Sequence, residues 1–332
     1  MDKAVGVVIP FYQKEKGLLS NSLNSIFDQT MKEINFIIVI VDDESPVSAC
    51  SELTNLTIPD NCKVELIEQK NAGPASARNR ALDFLEGQDI QLVAFLDSDD
   101  LWMKHHIQSA ITAMNVNNAD FYFCDHSRFD SERSWFESLG LIDNWEQIVK
   151  KYKIDSNENL VSLSGDRCFS LFLNDYLSQT SSVVYNFQNN KKIRFDEELV
   201  SAGEDYFLWL EIVNKSSKVT FSLNKGLHCG KGVNIYYDSF DWSKLAASRL
   251  LGYELLLYKK ILKSFNLSTD DKHLISAELL KRKQSYSYLT IKHFLTGKGL
   301  DTSLLIKVSK LSPATAFLVP FRFFLFLFKS KH

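Results

Sequence analysis

Residues 93–102 read VAFLDSDDLW, so that four apolar residues run directly into three carboxylates within four positions. Four apolar residues are enough for a buried strand and too few for a buried helix. Carboxylates clustered at the end of a buried strand repel one another and lose hydration, which is costly unless a cation lies there. Mg²⁺ or Mn²⁺ carrying substrate phosphates would remove that cost, because both ions prefer oxygen ligands. The alternative is a solvated acidic turn that caps the next helix, and this stretch alone does not separate the two.

Two further apolar runs predict strands of the same sheet. Residues 5–9 are rich in β-branched residues, end at Pro10 and are followed by a helical pattern. Residues 36–41 are continuously apolar and stop at Asp42 and Asp43. A strand, a helix and a fully apolar second strand indicate a βαβ unit in a sheet covered on both faces. Ligands of such sheets bind outside the carboxyl ends of the strands, which is where all of these acids fall.

Residues 71–79 read NAGPASARN and predict a loop that leads into a helix. Gly73 and Pro74 break the chain, and Pro74 suits the first turn of the helix that follows. The amides of that helix start and Arg78 would then face an anion, for which a nucleotide diphosphate is the natural candidate. The alternative is an ordinary amphipathic helix with a surface arginine, which has more weight for Arg80 than for Arg78.

Together these segments resemble the family 2 glycosyltransferases, inverting enzymes with the GT-A fold. Five elements carry the resemblance. VVIPFY at 7–12 is similar to the opening strand and turn of the family, VDDES at 41–45 to its VDDGS element, and NAGPASARN at 71–79 to its NxG…ARN element. DSDD at 97–100 is similar to its DxD metal motif, and GEDYFLWL at 203–210 to its acidic pair before a helix. Their order and spacing make the resemblance specific. Glu44 departs from it, because glycine at that point often serves a backbone with φ above zero. Glutamate there indicates a different turn or a tolerated surface change.

The resemblance implies an α/β architecture with the GT-A fold, a Rossmann-like, mostly parallel sheet flanked by helices. We expect a catalytic domain at residues 1–240, with a nucleotide half at about 1–104 and an acceptor half at about 105–240. Residues 241–332 follow a helical pattern and are expected to form a C-terminal helical region.

The resemblance also implies the chemistry. An acceptor hydroxyl attacks the anomeric carbon in one displacement, which needs a base for its proton and positive charge for the departing diphosphate. Asp205 is the expected base and Glu204 the close second, although both acids could simply cap a helix. Asp99 is the expected ligand of Mg²⁺ or Mn²⁺, with Asp97 and Asp100 placed for water-mediated or alternate contacts.

The resemblance assigns further residues to the nucleotide-sugar donor, expected to be a UDP-sugar. They are Pro10, Tyr12, Asp42, Asp43, Asn71, Gly73, Arg78, Asp97 and Ser98. Of the adjacent acids, Asp43 is expected to meet the nucleobase or ribose, and Asp42 to help position it. His228 follows a later strand and is expected to approach the metal or the diphosphate, the alternative being a structural histidine.

Composition excludes other classes. The chain has 332 residues, 45% of them hydrophobic, and a net charge of −3, so nothing favours nucleic-acid binding. Five cysteines without a CxxC pair argue for a reducing compartment and against a zinc site. No basic stretch followed by a long apolar one opens the sequence, so the catalytic part is expected in the cytoplasm.

The C-terminal tail is the segment that predicts a membrane contact. Residues 314–328 are rich in phenylalanine but are interrupted by Pro320 and Arg322, and the apolar run is shorter than a spanning helix needs. Lysines nearby suit a helix that lies in the interface at the cytoplasmic face. The alternative is a helix docked on the protein or in a homodimer contact.

The sequence thus predicts an inverting transfer of a sugar from a nucleotide-diphosphate sugar to a hydroxyl of a glycan or polyprenyl-diphosphate-linked saccharide, in cell-surface polysaccharide synthesis. The alternatives are a polyprenyl-phosphate sugar synthase and a non-catalytic sugar-nucleotide-binding module. The acidic pair Glu204 and Asp205 argues against the latter.

Overall fold

A computed structural model gives the structure of the chain in two compact units. It describes residues 4–54, 56–152, 154–157, 159–200, 202–231 and 239–311. The first unit comprises Met1–Phe195 with Leu208–Val233, and the second comprises Asp196–Phe207 with Asn234–His332. The domain boundary predicted at residue 240 stays a prediction.

The first unit is built on one mixed sheet. In the described residues its strands are β1 Ala4–Phe11, β2 Phe36–Asp43, β3 Cys62–Gln69, β4 Ile90–Phe95, β5 Leu101–Trp102, β6 Phe121–Arg128, β7 Asp155–Asn157, β8 Leu160–Ser164, β9 Val184–Asn186 and β10 Lys218–Cys229. Their order is β3-β2-β1-β4-β9-β6-β10-β8-β7, and β5 pairs with β10. The neighbours from β3 to β4 are parallel, as are β6 and β10, whereas β9 is antiparallel to both β4 and β6. Because β8 is antiparallel to both β10 and β7, seven of the ten described strands share one direction, and the predicted mostly parallel sheet is confirmed.

Helices flank this sheet, as predicted. They are α1 Leu18–Phe27, α2 Ala49–Leu53, α3 Pro74–Glu86, α4 His106–Asn117, α5 Trp135–Ser138, α6 Trp145–Tyr152, α7 Gly165–Asn174 and α8 Glu204–Lys215, whose first turn belongs to the second unit. The apolar runs of β2 and β4 are buried at successive positions, so both faces of the sheet need a cover. Leu19 and Leu23 of α1 and Leu82 and Leu85 of α3 are fully buried.

Aromatic side chains form much of the core around β4, β6 and β10. Trp209 of α8 is fully buried, and its ring centroid lies 5.3 Å from that of Phe95 and 5.7 Å from that of Phe121. Phe123 stacks on Phe221 at 4.7 Å. Large rings in such edge and stacked arrangements contribute packing beyond the area they bury.

The second unit contains the predicted C-terminal helical region. Its helices are α9 Leu245–Ser264, α10 Thr269–Leu295 and α11 Thr302–Leu311. Gly252 lets α9 approach α11 closely, because a Cβ at this glycine would lie 2.5 Å from Leu304 Cδ2. Ser268 caps α10 by accepting a hydrogen bond from the backbone N–H of Asp271. Among the described residues, no helix is both long enough and apolar enough to cross a bilayer. The aromatic tail beyond Leu311 lies outside the described residues.

A neutral histidine is buried in the first unit. His106 is almost fully buried at the start of α4, where its ring lies 4.9 Å from that of Trp102. Burial lowers the pKa of His106 from 6.5 to about 3, because the charged imidazolium would lose its hydration. An unfolded chain takes up a proton at this residue below pH 6.5, and the folded chain does not do so until about pH 3.

We expect the His106→Gln substitution to flatten the pH dependence of stability between pH 6.5 and 5. In the wild type this histidine stabilises the fold fully above pH 6.5, and the contribution falls by up to about 1.4 kcal/mol per pH unit as acid is added. The free energy of unfolding measured in urea at several pH values checks this. His105→Gln, at the exposed neighbouring histidine, is the matched control. If the free energy of unfolding changes with pH equally in the wild type and in His106→Gln between pH 6.5 and 5, the lowered pKa of His106 is contradicted.

Candidate active site

The parallel strands bring most of the predicted donor and metal residues to one edge of the sheet. Phe11, at the end of β1, lies opposite Asp42 of β2, and Asp43 lies opposite Gln69 of β3. Pro10 is part of β1, and Tyr12 follows that strand with its side chain exposed. The DSDD sequence begins at Asp97, one residue beyond Leu96, which follows the end of β4. The carboxyl edge of the first unit therefore collects acids from two strands, as predicted.

Asp42 organises the turn that follows β2. Its Oδ1 accepts a hydrogen bond from the backbone N–H of Ser45 at 2.8 Å, and its Oδ2 accepts one from Ala49 at 2.8 Å. Both oxygens are thus held by the chain that leads into α2. Asp42 was predicted to position its neighbour, and these bonds suit such a role, while any contact with a nucleotide stays a prediction.

Glu44 adopts a backbone conformation that usually favours glycine. Its φ is 58°, in the left-handed region that costs a residue with a Cβ about 1–2 kcal/mol. The side chain reaches the next loop, where Glu44 Oε2 accepts a hydrogen bond from the Asn71 backbone N–H at 3.3 Å. Glutamate therefore occupies a backbone conformation that favours glycine, and it does so at an exposed position of the surface.

Asp43 fixes the loop that begins the third motif. Its Oδ1 accepts a hydrogen bond from the backbone N–H of Ala72 and its Oδ2 one from that of Gly73, both at 2.8 Å. Asn71 donates from Nδ2 to the Asp43 carbonyl at 3.0 Å. Gly73 has a φ of 90°, which favours glycine, and α3 begins at Pro74 as predicted. These predicted donor residues thus form one hydrogen-bonded unit.

Arg78 is buried and paired. Its Nη2 lies 2.8 Å from Asp97 Oδ1, and its guanidinium carbon lies 5.4 Å from the centre of the Phe195 ring. Arg80, two residues on, is exposed. The surface-arginine interpretation is therefore wrong for Arg78 and holds for Arg80. The first anion that Arg78 meets is Asp97, and its predicted contact with a diphosphate stays a prediction.

Asp100 anchors the DSDD loop from inside. Its Oδ2 accepts hydrogen bonds from Ser181 Oγ at 2.6 Å and from Gln179 Nε2 at 2.8 Å. Its Oδ1 accepts one from the backbone N–H of Gly230 at 2.9 Å. The neighbouring Ser98 is also buried, and it accepts a hydrogen bond from Gln13 Nε2 at 3.0 Å.

Sequence reasoning missed these partners of the loop. Gln13 follows the opening strand, Gln179 and Ser181 belong to a polar run at 178–182, and Gly230 lies in the sequence HCGKG. A Cβ at Gly230 would lie 2.0 Å from the Asp99 carbonyl oxygen, so only glycine allows the end of β10 to approach the loop this closely. A glycine directly after an apparent strand was the available signal.

The electrostatics of this loop fit a cation. Burial, and then the charge of Asp97, raises the pKa of Asp99 to about 6. Burial, and then the charges of both neighbours, raises the pKa of Asp100 well above its usual range. Asp97 and Asp99 are only half-buried, so their carboxylates lie at the outer side of the loop. Positive charge beside them would offset their repulsion.

The number of protein ligands near this loop limits how a metal ion could be bound. In the described part of the chain, no group of three or more His, Cys, Asp or Glu side chains is arranged to hold a metal ion. Two carboxylates, completed by substrate phosphate and water, match the way in which Mg²⁺ usually binds. The residues present therefore fit a divalent metal that arrives with the donor.

His228 lies on β10, close in register to this loop. It is opposite Leu101 of β5, and its Nδ1 lies 2.9 Å from Ser127 Oγ. The side chain is half-buried, and its ring has a protein partner. Its predicted approach to the metal or diphosphate stays a prediction.

The predicted catalytic acids begin α8 and belong to the second unit. Glu204 and Asp205 lie in the first turn of this helix, after Gly203 with a φ of 85°. Both side chains are half-buried, and Asp205 Oδ1 accepts a hydrogen bond from the Tyr206 backbone N–H at 2.6 Å. A helix N-terminus stabilises the negative form of a carboxylate, which suits both a base and a cap.

Comparison with known proteins shows that this chain is similar to glycosyltransferases. The family model described as Glycosyl transferase family 2 matches residues 6–180. The succinoglycan biosynthesis protein ExoW of Rhizobium meliloti (strain 1021) is 32% identical over 232 residues, which cover 70% of this chain and 70% of ExoW. The UDP-Glc:alpha-D-GlcNAc-diphosphoundecaprenol beta-1,3-glucosyltransferase WfgD of Escherichia coli is 28% identical over 235 residues, 69% of this chain and 77% of WfgD.

A solved structure shares the fold. The S. aureus protein TarS, residues 1–349 in complex with UDP-GlcNAc, aligns with a TM-score of 0.57 and 17% identity. The alignment covers 96% of this chain and 88% of that one. At this identity the likeness shows the fold alone, and it confirms the predicted GT-A fold.

We expect Gly230→Ala to destabilise the first unit by about 1–3 kcal/mol, the usual cost of forcing an extra carbon into a packed site. The added Cβ would displace the Asp99 carbonyl and lengthen the bond from Gly230 to the Asp100 carboxylate. Urea unfolding measures the effect. Gly87→Ala is the matched control, because the nearest atom to its added Cβ lies 3.8 Å away. Equal stability of the two variants would refute the role of the close approach.

Proposed function

The chain belongs to glycosyl transferase family 2 and is a glycosyltransferase, and from that premise we propose that it moves a sugar from a UDP-sugar to an acceptor hydroxyl with inversion. The acceptor that we propose is a glycan or a polyprenyl-diphosphate-linked saccharide. The observation that carries the proposal is the pair of half-buried carboxylates, Asp97 and Asp99, at the carboxyl end of β4.

The donor assignment draws on the hydrogen-bonded unit of Asp43 and the loop 71–73. It lies at the same edge of the sheet as the DSDD loop, where ligands of parallel sheets bind. WfgD is named for UDP-Glc, and the TarS structure holds UDP-GlcNAc, which supports uracil as the nucleobase of the donor. Asp43 would meet the ribose or nucleobase, with Pro10, Tyr12 and Asn71 beside it.

Asp99 and Asp97 are the ligands that we propose for Mg²⁺ or Mn²⁺. When bound, the metal supplies positive charge that favours departure of the nucleoside diphosphate. Asp100 was predicted to make alternate metal contacts, but its oxygens already accept three hydrogen bonds from the protein. Its proposed task is therefore to hold the loop, and Arg78 holds the carboxylate of Asp97 in place. His228 stays a candidate for the diphosphate side.

Asp205 is the base that we propose for the acceptor hydroxyl, with Glu204 as the alternative. The base takes the proton as the oxygen attacks the anomeric carbon, and the nucleoside diphosphate leaves from the opposite face. The half-buried side chains of both acids in the first turn of α8 support this proposal, because an acceptor hydroxyl can approach a carboxylate that is not fully buried.

The acceptor class rests on the relatives. ExoW is named for succinoglycan biosynthesis and WfgD for a saccharide on diphosphoundecaprenol. We therefore propose a role in polysaccharide synthesis at the cytoplasmic face of the membrane. Transfer to a polyprenyl phosphate itself is the alternative reaction, and product analysis with both acceptors separates the two. A non-catalytic module would bind UDP, but it would not produce UDP from a UDP-sugar.

We expect Asp99→Ala to abolish transfer and to remove the metal dependence of UDP binding, because the variant lacks a metal ligand but no core side chain. Calorimetric titration with UDP, with and without Mn²⁺, measures the binding, and release of UDP from a UDP-sugar measures turnover. Asp89→Ala is the control, since it removes an exposed carboxylate just before the amino end of the same strand. Full activity of Asp99→Ala, or of the wild type in excess chelator, would contradict the proposal that Asp99 binds a metal ion needed for transfer.

Asp205→Asn should lower turnover by roughly 10²–10⁴-fold while the affinity for UDP persists, because the amide is nearly isosteric but cannot take the hydroxyl proton. Initial rates at saturating donor and acceptor, beside the Kd for UDP, check this. Glu204→Gln is the matched comparison on the same helix turn. If Glu204→Gln loses turnover and Asp205→Asn keeps it, the base is Glu204.

A further inference from the structure

The start of α9 and the end of α10 meet at one end of the second unit. His293 Nε2, in the last turn of α10, lies 3.3 Å from the carbonyl oxygen of Trp242. Lys298, just past α10, donates a hydrogen bond from Nζ to the carbonyl of Ser243. The rings of Trp242 and Tyr288 lie 6.1 Å apart. The segments that enter α9 and leave α10 therefore form one continuous surface.

This surface exposes large apolar side chains, which we call the aromatic end: Phe240, Trp242, Phe294 and Leu295. Phe240, Phe294 and Leu295 are 67%, 64% and 70% exposed, and Trp242 is 40% exposed. A single exposed apolar residue needs no explanation, but several on one surface of a water-soluble fold usually mark a contact.

Lysines surround the aromatic end. Lys244, Lys292 and Lys298 lie within two to three residues of its members along the chain. Two acids lie nearby along the chain: Asp241, which accepts a hydrogen bond from the Ser243 backbone N–H and keeps its charge, and Asp301, which pairs with Arg249. The three lysines outnumber them. The surface therefore combines exposed aromatic rings with basic side chains.

The charge of the chain is strongly segregated. Residues 239–311 contain 13 Lys and Arg and six Asp and Glu, a net charge of +7. Residues 1–238 contain 22 Lys and Arg and 35 Asp and Glu, a net charge of −13. An anionic surface would therefore attract residues 239–311 and repel residues 1–238, which include the acidic part of the second unit at 196–207.

We propose that the aromatic end docks on the surface of a bilayer that contains anionic lipid. Phe240, Phe294 and Leu295 enter the boundary between headgroups and acyl chains, and Trp242 lies at the headgroup level. The lysines lie over the lipid phosphates. Aromatic rings flanked by lysine on the net-positive segment 239–311 match an anionic membrane in both hydrophobicity and charge. The contact uses described residues and does not require the tail at 312–332.

This inference deepens the proposed function, because a polyprenyl-linked acceptor is itself in the membrane. The two remain separable, since membrane binding is measured without donor or acceptor. If the chain transfers no sugar, its binding to vesicles can still be measured. If it does not bind vesicles, its transfer of sugar to a water-soluble acceptor can still be measured.

Sedimentation of the full chain with vesicles tests the proposal. Vesicles of phosphatidylcholine alone are compared with vesicles that also contain phosphatidylglycerol. We expect the wild type to sediment with the anionic vesicles and to be released progressively by salt. The double variant Phe294→Ser with Leu295→Ser should lower the partition coefficient at least tenfold, and Lys292→Glu should lower it on anionic vesicles.

Leu280→Ser is the matched control, because Leu280 is also exposed on α10 but lies 14 residues before Phe294. That separation is about 21 Å along the helix axis. This variant should bind vesicles like the wild type. A second measurement keeps the test independent of a misfolded double variant: brominated lipid should quench tryptophan fluorescence in the wild type and much less in Trp242→Phe.

Three results would overturn the proposal. The first is a wild type that sediments with neither kind of vesicle. The second is a folded double variant that binds as tightly as the Leu280→Ser control, which would assign membrane binding to another part of the chain. The third is a concentration-dependent dimer that the double variant loses, without any vesicle binding, which would make the aromatic end a contact between two copies.

Discussion

The hydrogen bonds to the buried carboxylate of Asp100 join three parts of the chain that are far apart in sequence: the loop after β4, the turn at 179–181 and the end of β10. A buried carboxylate is costly unless its oxygens are bonded, so these donors must be in place together. These bonds hold Asp100 on the inner side of the DSDD loop, and Asp97 and Asp99 lie at its outer side. The candidate metal site is therefore a product of the folded first unit and not of the four-residue motif.

Adjacent acids at this edge have different tasks. Asp42 holds its own turn, Asp43 holds the loop 71–73, and Asp97 is held by Arg78. Asp43 and Asp97 would therefore meet a ligand while they also bind the protein, whereas both oxygens of Asp42 accept bonds from its own turn. Loss of activity on removal of Asp42 or Asp100 would thus report on the architecture, whereas loss on removal of Asp99 would report on the ligand.

The sheet, its direction and the edge that carries the acids were predictable from the sequence, because the apolar runs of β2 and β4 are continuous and each ends in carboxylates. The inward orientation of Asp100 was not predictable, since its partners lie 79 to 130 residues away along the chain. The pairing of Arg78 was predicted only in kind: an anion was expected, but Asp97 is one that the chain itself supplies. The glycine-type turn at Glu44 was missed because residue preference argues against it and tertiary contacts prevail.

Glu44 has a consequence for how this chain tolerates change. A glutamate held at a φ of 58° keeps the fold below the stability that the same backbone would have with glycine. The deficit is local and needs no repacking to be recovered, since the turn already has the geometry that glycine prefers. A single Glu44→Gly substitution could thus raise the free energy of unfolding and offset a destabilising substitution elsewhere in the chain.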